Sequence, residues 1–321
     1  MNGKVTIEKG KEKGLYKTDI LDKFFGGWMV EIKTIFKENQ EIKIYVVQSE
    51  ETTFMFKSIA CFLANTKGIT QARNEYQLSL QCANLSEAIP KLLDHKEETD
   101  EASGRQYIEL LYEHYGEDLY SVLGKLNIKE VLAMMAQILK PLVIMEENGI
   151  FHSNLNSENI AVEGKSIKIL NFGASITFNE KVKLIEEGKL KERSYYPPEV
   201  LRSESSILNK VDVYSWGIIF YQMMAGKSES DLEGEIELRL TNHDKFIESL
   251  DNIEFKDSTL KEDVLEILRK ALSSNYKNRP TFKEILDYMV NKDNYREKYI
   301  ITKQALRNVY SERGKFHIVI Y

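Results

Sequence analysis

Cysteine is scarce in this sequence, and no stretch is apolar enough to suggest a membrane span. The two cysteines among the 321 residues are Cys61 and Cys82. Two cysteines cannot build a disulfide scaffold, nor a zinc site by themselves, so we expect buried free thiols and a reducing compartment. The two most apolar stretches, residues 131–145 and 211–226, contain polar side chains. Both fall short of the roughly 20 apolar residues that a membrane-spanning helix needs.

An excess of positive charge is also missing. The chain has 44 Lys and Arg against 50 Asp and Glu, which gives a formal net charge of −6. A protein of this charge is a poor general nucleic-acid binder, so we expect no nucleic-acid partner. Residues 1–14 lack the apolar core of a secretory signal. We therefore expect a cytoplasmic protein without a membrane partner, and we consider a cytoskeletal or ciliary assembly as one setting.

The first third of the chain shows strand patterns, and the rest shows helix patterns. Apolar and β-branched runs predict five strands, at residues 28–37, 41–48, 52–57, 89–93 and 106–112. Helical spacing predicts a helix over 70–82, and the charged stretch 95–104 predicts an exposed loop. Further helices are predicted at 128–148, 210–225, 261–273 and 281–291. This order indicates an α+β protein with a boundary near residues 112–116.

Two short motifs stand at a defined spacing in the middle of the chain. Residues 152–159 are HSNLNSEN, and residues 171–173 are NFG. Protein kinases have a catalytic loop H-R-D-L-x-x-x-N and a metal-binding motif D-F-G. At both motifs the sequence resembles the protein kinase family. The 12 residues from Asn159 to Asn171 also suit the two strands that join these motifs in kinases.

More of the family's pattern precedes these motifs. Residues 54–57, FMFK, take the place of the kinase V-A-I-K, which makes Lys57 the candidate phosphate-binding lysine. Glu75, on the predicted helix, is its candidate ion-pair partner. Leu111 resembles the gatekeeper and residues 112–114 resemble the hinge, in which Glu113 is the candidate nucleotide contact.

Structural motifs of the family follow the catalytic loop. Glu199, in YPPE, corresponds to the glutamate of A-P-E, and Arg279, in NRPT, resembles the late arginine that pairs with it. Asp212, in DVYSWG, matches the kinase aspartate that braces the catalytic-loop backbone. The other residues assigned a structural role by the resemblance are His152, Phe172 and Gly173.

The resemblance extends over residues 28–290, and the order of the motifs carries it rather than any single one. It implies a bilobal fold. The N-lobe, residues 24–112, is expected to have a five-stranded antiparallel sheet with one helix, and the C-lobe, 113–292, to be mainly α-helical. Residues 1–23 are expected to be an N-terminal arm that is disordered or binds a partner. Residues 293–321 are expected to be a tail with a helix and a strand that pairs in cis or in trans.

The sequence departs from the family at the positions that carry the chemistry. The catalytic-loop aspartate is replaced by Asn154, and the Mg²⁺-binding aspartate by Asn171. A carboxamide is uncharged and is not basic near neutral pH, and Mg²⁺ prefers carboxylate oxygen. The arginine that receives an activation-segment phosphate in many kinases is Ser153. We therefore expect no catalytic residue at these three positions and no metal site.

Phosphate binding is weakened as well, because the glycine-rich loop is missing. Its expected place, residues 36–45, contains no glycine, so side chains keep the backbone amides from approaching phosphates closely. Four candidate nucleotide-binding residues are kept: Lys57, Glu75, Glu113 and Asn159. ATP is therefore the one cofactor that the sequence leaves open. A purely structural ion pair between Lys57 and Glu75 is favoured over phosphate binding.

Two segments of the expected C-lobe allow either a structural or a functional interpretation. Ser194, Tyr195 and Tyr196 are candidate phosphorylation sites. Two tyrosines that pack beneath Pro197 are favoured instead, since Ser153 offers no charge to a phosphate. The charged run 179–193 is a candidate docking helix, and a solvated activation segment is favoured.

Taken together, these features predict a pseudokinase: a catalytically inactive kinase-like domain that acts as a scaffold, structural component or allosteric partner in a protein assembly. We expect protein partners, such as an active kinase or a large assembly, that bind through the C-terminal tail or the activation segment. Two alternatives stay open, an ATP-binding nucleotide sensor and a weak atypical Ser/Thr protein kinase.

Overall fold

The computed structural model describes residues 6–9, 12–15, 31–39, 41–49, 51–164, 166–177, 194–202, 208–255 and 260–291. These residues divide into two compact units. Unit 1 takes the described residues up to Glu117 and also Lys168–Ser175, and unit 2 takes the others. The predictions for residues 179–193 and for the tail 293–321 lie outside the described residues.

Unit 1 contains a mixed β-sheet and one long helix. Its strands are β1 (Thr6–Lys9), β2 (Glu12–Leu15), β3 (Glu31–Glu38), β4 (Ile42–Ser49), β5 (Thr52–Phe62), β6 (Leu92–Asp100) and β7 (Arg105–Glu113), and its helix is α1 (Thr66–Ala83). Strands β3 to β7 pair antiparallel in the order β3-β4-β5-β7-β6. The predicted five-stranded antiparallel sheet is therefore confirmed.

The hairpin of β1 and β2 adds two strands that the sequence patterns did not predict. Strand β1 pairs parallel with β3 and antiparallel with β2, so the sheet has seven strands in the order β2-β1-β3-β4-β5-β7-β6. Both strands lie within residues 1–23, for which we predicted a disordered or partner-binding arm. The described part of this arm pairs with the sheet of its own chain.

The two faces of the sheet carry different side chains, because neighbouring residues on a strand point to opposite sides. One face holds an apolar cluster of Ile32, Tyr45, Val47, Phe56 and Leu111. The other face packs against α1. Helix α1 begins four residues before its predicted start, because the Asn65 side chain accepts a hydrogen bond from the amide of Gly68 and caps the first turn.

The charged loop predicted at residues 95–104 is wrong over its first six residues. Strand β6 continues from Leu92 to Asp100 and pairs with β7 along its length, and only residues 101–104 form the turn. The strand is the last in the sheet. Charged side chains are tolerated on such an edge, where they reach solvent and discourage pairing with other chains.

Unit 2 is mainly helical, which confirms the second part of the predicted fold class. Its helices are α2 (Ile128–Glu147), α3 (Pro198–Leu201), α4 (Leu208–Ala225), α5 (Glu229–Gly234), α6 (Ile236–Thr241), α7 (His243–Ser249), α8 (Lys261–Ala271) and α9 (Phe282–Asn291). The remaining strands are short: β8 (Glu117–Asp118), β9 (Ile150–Phe151), β10 (Ile160–Glu163), β11 (Ser166–Ile169) and β12 (Ile176–Thr177). The long predicted helices 128–148, 210–225, 261–273 and 281–291 agree with α2, α4, α8 and α9 to within two residues at each end.

The core of unit 2 forms around α4. Its residues Val213, Trp216 and Phe220 are fully buried. Gly217 lets the end of α8 approach closely, since a Cβ at this position would lie 3.1 Å from Cβ of Ala271 and 2.9 Å from Cδ2 of Leu272, the residue after the helix. Among the described residues, no helix combines the length and the apolar character needed to cross a bilayer.

Candidate functional site

Lys57 stands at the centre of the polar residues of unit 1. It lies on β5 opposite Leu110 of β7, on the sheet face that packs against α1. Its Nζ is 3.0 Å from Oε1 of Glu75 and donates a hydrogen bond of 2.7 Å to Oδ1 of Asn171. The structure thus brings together two of the four candidate nucleotide-binding residues, Lys57 and Glu75. It also joins to them the asparagine that replaces the metal-binding aspartate.

The turn that contains Asn171 is held against α1 through its backbone. Asn171 adopts a left-handed conformation with φ of 66°, and Phe172 is buried. The amide of Gly173 donates a 2.7 Å hydrogen bond to Oε2 of Glu75. A side chain at Gly173 would bring its Cβ to 3.2 Å from the carbonyl oxygen of Gln71. Glycine therefore permits the close approach of the turn to the helix.

Asn74 is a second residue of α1 that holds this turn, and the sequence analysis missed it. Its Nδ2 donates to the carbonyl oxygen of Ser175 at 2.6 Å and lies 3.3–3.4 Å from those of Gly173 and Phe172. Asn74 contacts backbone atoms of the turn, so no sequence motif in the turn predicts these contacts. The one available signal was a polar side chain directly before Glu75 on a predicted helix.

Tyr112, rather than Leu111, faces α1 from strand β7. Tyr112 lies opposite Met55 and Leu111 opposite Phe56, so Leu111 points into the apolar cluster on the other face of the sheet. The prediction of Leu111 as the gatekeeper is therefore wrong by one residue. The Tyr112 hydroxyl lies 3.3 Å from Oε1 of Glu75 and 3.2 Å from Oγ of Ser79. Burial and the nearby Glu75 carboxylate raise the pKa of Tyr112 well above its usual value, so it stays neutral.

Glu113, the hinge candidate, is engaged by a lysine. Its Oε1 accepts a 2.7 Å hydrogen bond from Nζ of Lys168, which also donates to the carbonyl oxygen of Glu87 at 2.7 Å. The Glu113 amide donates to the carbonyl oxygen of Lys91 at 3.0 Å. Both the side chain and the amide of this residue therefore already have partners within unit 1.

In unit 2, three asparagines of the catalytic-loop motif bind one another. Nδ2 of Asn159 donates to the carbonyl oxygen of Asn154 at 2.8 Å. Nδ2 of Asn156 lies 3.2 Å from both the carbonyl oxygen and Oδ1 of Asn154, and its own Oδ1 accepts from the Asn159 amide at 3.0 Å. Asn156 was not among the predicted site residues. It occupies Oδ1 of Asn154, the atom that stands where the family has a carboxylate.

Asp212 holds the backbone of the same loop from α4. Its two carboxylate oxygens accept hydrogen bonds from the amides of His152 at 2.7 Å and Ser153 at 2.8 Å. Ser153 has φ of 61°, a strained value for a residue other than glycine, so these bonds maintain an unfavourable backbone conformation. Burial raises the pKa of Asp212 from 3.8 to about 7, although both amide donors act in the opposite direction. His152 is fully buried, in keeping with a packing role.

Two further contacts of unit 2 follow the family's structural pattern. Arg279 and Glu199 form a buried bidentate pair, with distances of 2.6 Å from Nη1 to Oε1 and 2.9 Å from Nη2 to Oε2. Tyr196 donates its hydroxyl to the carbonyl oxygen of Ser153 at 3.1 Å. The Tyr195 hydroxyl lies in a buried network with Ser157, Gln222 and Glu229. Both tyrosines thus serve as internal hydrogen-bonding residues.

The residues present fit a Mg²⁺ ion poorly. Oδ1 of Asn171, the atom available for a metal, accepts a hydrogen bond from the Lys57 ammonium. Mg²⁺ is a hard cation that prefers carboxylate oxygen and keeps several waters, whereas this environment offers a neutral amide next to a cation. Within the described residues there is also no group of three or more His, Cys, Asp and Glu side chains placed to hold a metal ion.

Comparison with known proteins adds an independent finding. The family model for the protein kinase domain matches residues 40–290. The dual specificity protein kinase Ttk of Danio rerio is 26% identical over 258 residues, which is 77% of this chain and 25% of that protein. The Wee1-like protein kinase of Arabidopsis thaliana is 27% identical over 172 residues, 51% of this chain and 30% of that protein. The serine/threonine-protein kinase MPS1 of Encephalitozoon cuniculi is 23% identical over 257 residues, 77% of this chain and 40% of that protein.

The chain therefore spans between a quarter and two fifths of the length of these relatives. The family match covers well over half of the chain, and it includes every site residue described above. The geometry of Lys57 with Glu75, of Asp212 with the loop backbone, and of Arg279 with Glu199 agrees with it. The chain belongs to the protein kinase family.

Proposed function

We propose that this protein is a pseudokinase, which acts by binding other proteins rather than by transferring phosphate. The observation that carries the proposal is that both positions requiring a carboxylate hold carboxamides already engaged within the protein. Oδ1 of Asn171 accepts from Lys57, and Oδ1 of Asn154 lies within hydrogen-bonding distance of Nδ2 of Asn156. Neither amide can act as a base or supply a negative charge to a metal.

The expected loss of catalysis is large. Removing a positioned general base typically costs about 10²–10⁴ in rate. Two unit charges 4 Å apart interact by about 4 kcal/mol at an effective dielectric of 20. Losing that charge at the metal position corresponds to about 10³ in rate. If the two effects are independent, phosphoryl transfer is slower than in an intact kinase by roughly 10⁵–10⁷.

The elements that hold the fold together are kept, which supports a role that depends on shape. Asp212 still braces the loop backbone, and the buried pair of Arg279 with Glu199 is complete. A protein that keeps its architecture and loses its chemistry is suited to serve as a scaffold, a structural component or an allosteric partner. We propose cytoplasmic protein partners, among them an active kinase or a large assembly.

The decisive experiment measures phosphoryl transfer by the full chain. The purified protein is incubated with radiolabelled ATP and a mixture of protein substrates, in Mg²⁺ and in Mn²⁺, beside a Lys57→Met variant. We expect no incorporation above the level of Lys57→Met. Incorporation that depends on Lys57 would contradict the proposal and favour a weak kinase, the activity suggested by the names of the relatives.

A thermal-shift titration distinguishes the proposed pseudokinase from the other alternative, a nucleotide sensor. Ligand that binds the native state raises the melting temperature by mass action. Stabilisation by ATP that persists in EDTA would favour a sensor that needs no metal, whereas we expect no stabilisation in EDTA or in Mg²⁺. Asn171→Asp is the matched variant for the metal: if Mg²⁺-dependent stabilisation appears in this variant alone, the carboxamide is the reason for its absence.

A further inference from the structure

The crevice of unit 1 beside Lys57 is almost completely filled. It is lined by Lys57, Glu75, Asn171 and the rings of Tyr112 and Tyr115, among others, and its cavity volume is about 10 Å³. Such a space holds about one water molecule. Small-molecule sites commonly measure about 300–1,000 Å³. The crevice in its present state therefore has no room for a planar heterocycle.

Two tyrosine rings account for much of the filling. Tyr112 and Tyr115 are 5% and 9% exposed, and their rings meet edge to face with centroids 6.5 Å apart. This is a favourable geometry for an aromatic pair. Tyr115 lines the same crevice as Tyr112 and Glu75. Burial and the Glu75 carboxylate both raise its pKa above the usual value, so it stays neutral there.

The local backbone directs Tyr115 into the crevice. Strand β7 ends at Glu113, so Tyr115 lies beyond the last hydrogen-bonded residue of the strand. Gly116 follows with φ of 81°, a left-handed conformation that glycine adopts readily. The chain therefore turns directly after Tyr115. Met55, where the family's V-A-I-K has a small alanine, is buried on the same face of the sheet as Tyr112.

We propose that Tyr115 is an internal plug that keeps nucleobase-sized planar ligands out of unit 1. Its ring takes the space beside Tyr112 that such a ligand would need, and the chain is thereby held in a state independent of nucleotide. This inference rests on the proposed pseudokinase function and deepens it. The missing carboxylates explain the loss of chemistry, and the plug excludes binding even of a ligand that needs neither metal nor phosphate contacts.

Adenosine is the probe that isolates the plug, because it carries neither phosphate nor charge. Its binding to the full chain is measured by isothermal titration calorimetry in EDTA, for the wild type, Tyr115→Ala and Tyr120→Ala. Tyr120 is the matched control, since it is 41% exposed and lies outside the crevice. We expect Tyr115→Ala to bind adenosine at least about tenfold more tightly than the wild type and the control.

Two results would overturn the proposal. One is adenosine binding by the wild type itself, a test that needs no folded variant. The other is a folded Tyr115→Ala that gains no affinity. Tyr115→Leu, which shortens the side chain but keeps an apolar residue, replaces Tyr115→Ala if the alanine variant fails to fold. Lys57-dependent phosphoryl transfer would overturn the pseudokinase function separately, so the two failures are distinguishable.

Discussion

Replacing Arg279 by Met tests how much the buried ion pair contributes to the stability of unit 2. The Arg279 side chain has no solvent exposure, and Glu199 is 7% exposed. Besides its two bonds to Glu199, the guanidinium donates to the carbonyl oxygens of Ser273 at 2.8 Å and Lys210 at 3.1 Å. The substitution therefore removes the Arg279 counter-ion from a buried carboxylate and one donor from each of the two carbonyl groups.

The expected loss is several kcal/mol. Removing one partner of a buried pair typically costs about 3–5 kcal/mol, because the remaining charge stays desolvated. For a domain of about 150–250 residues each kcal/mol corresponds to about 2–4 °C, so the melting temperature is expected to fall by about 6–20 °C. The double variant Arg279→Met/Glu199→Leu removes both charges. It should lose about 1–2 kcal/mol, mainly for the two carbonyl groups.

Urea unfolding followed by the helical circular-dichroism signal measures these differences, since the long helices other than α1 lie in unit 2. Arg239→Met is the matched control. Arg239 is 1% exposed but has no ion pair with any residue that the structure describes. Its Nη2 donates to the carbonyl oxygen of Leu232 at 3.2 Å, so its replacement should cost about 1 kcal/mol, well below the cost of breaking a buried ion pair. The reasoning is refuted if Arg279→Met costs less than about 1 kcal/mol, or if the double variant is less stable than the single one.

Three further outcomes are expected. Gly217→Ala should destabilise the protein by about 1–3 kcal/mol in urea unfolding, because the new Cβ would lie 2.9 Å from Leu272; an unchanged midpoint would contradict this packing. Asn74→Ala should raise the rate of amide hydrogen exchange in residues 172–175 by about 5–30-fold, because the turn loses the hydrogen bond from Asn74 to the carbonyl oxygen of Ser175. An unchanged exchange rate would show that Asn74 does not hold the turn. The raised pKa of Asp212, about 7 against 3.8, means that the folded state binds the proton more tightly. Its contribution to the free energy of unfolding is therefore fully present below pH 3.8, the ordinary pKa of the group. That contribution, up to about 4 kcal/mol, is lost as the pH rises through the folded-state pKa of about 7. Urea unfolding of the wild type and Asp212→Asn across this pH range should show their stability difference changing in that direction, and a constant difference would argue against the shifted pKa.

The sequence patterns located most helices and strands well. They failed where contacts between distant residues decide whether a segment forms a strand and where that strand ends. Helix α2 was predicted to within a residue, because apolar periodicity and an Asn127 capping box define it locally. Strand β6 was cut short, because its charges indicate a loop, yet pairing with β7 continues along them. The hairpin of β1 and β2 escaped prediction because its pairing with β3 connects distant residues.

The assignment of Leu111 shows the same limit at the scale of one residue. A strand pattern predicts that neighbouring side chains alternate between faces, but it does not say which face a given residue takes. The register of β7 against β5 decides this, by placing Tyr112 opposite Met55 and Leu111 opposite Phe56. A shift by one residue reverses every side chain of the strand, so the gatekeeper position is a property of the paired sheet.

Motif order by itself indicated the family, and the sequence by itself showed that Asn154 and Asn171 stand where the family has two carboxylates. These conclusions depend on residue type and spacing, which the sequence states directly. Only the tertiary structure decided that Asn171 bonds to Lys57 and that Tyr115 lines the same crevice. Contacts of this kind join residues far apart in the chain or depend on the turn that aims a side chain, and no local pattern encodes either.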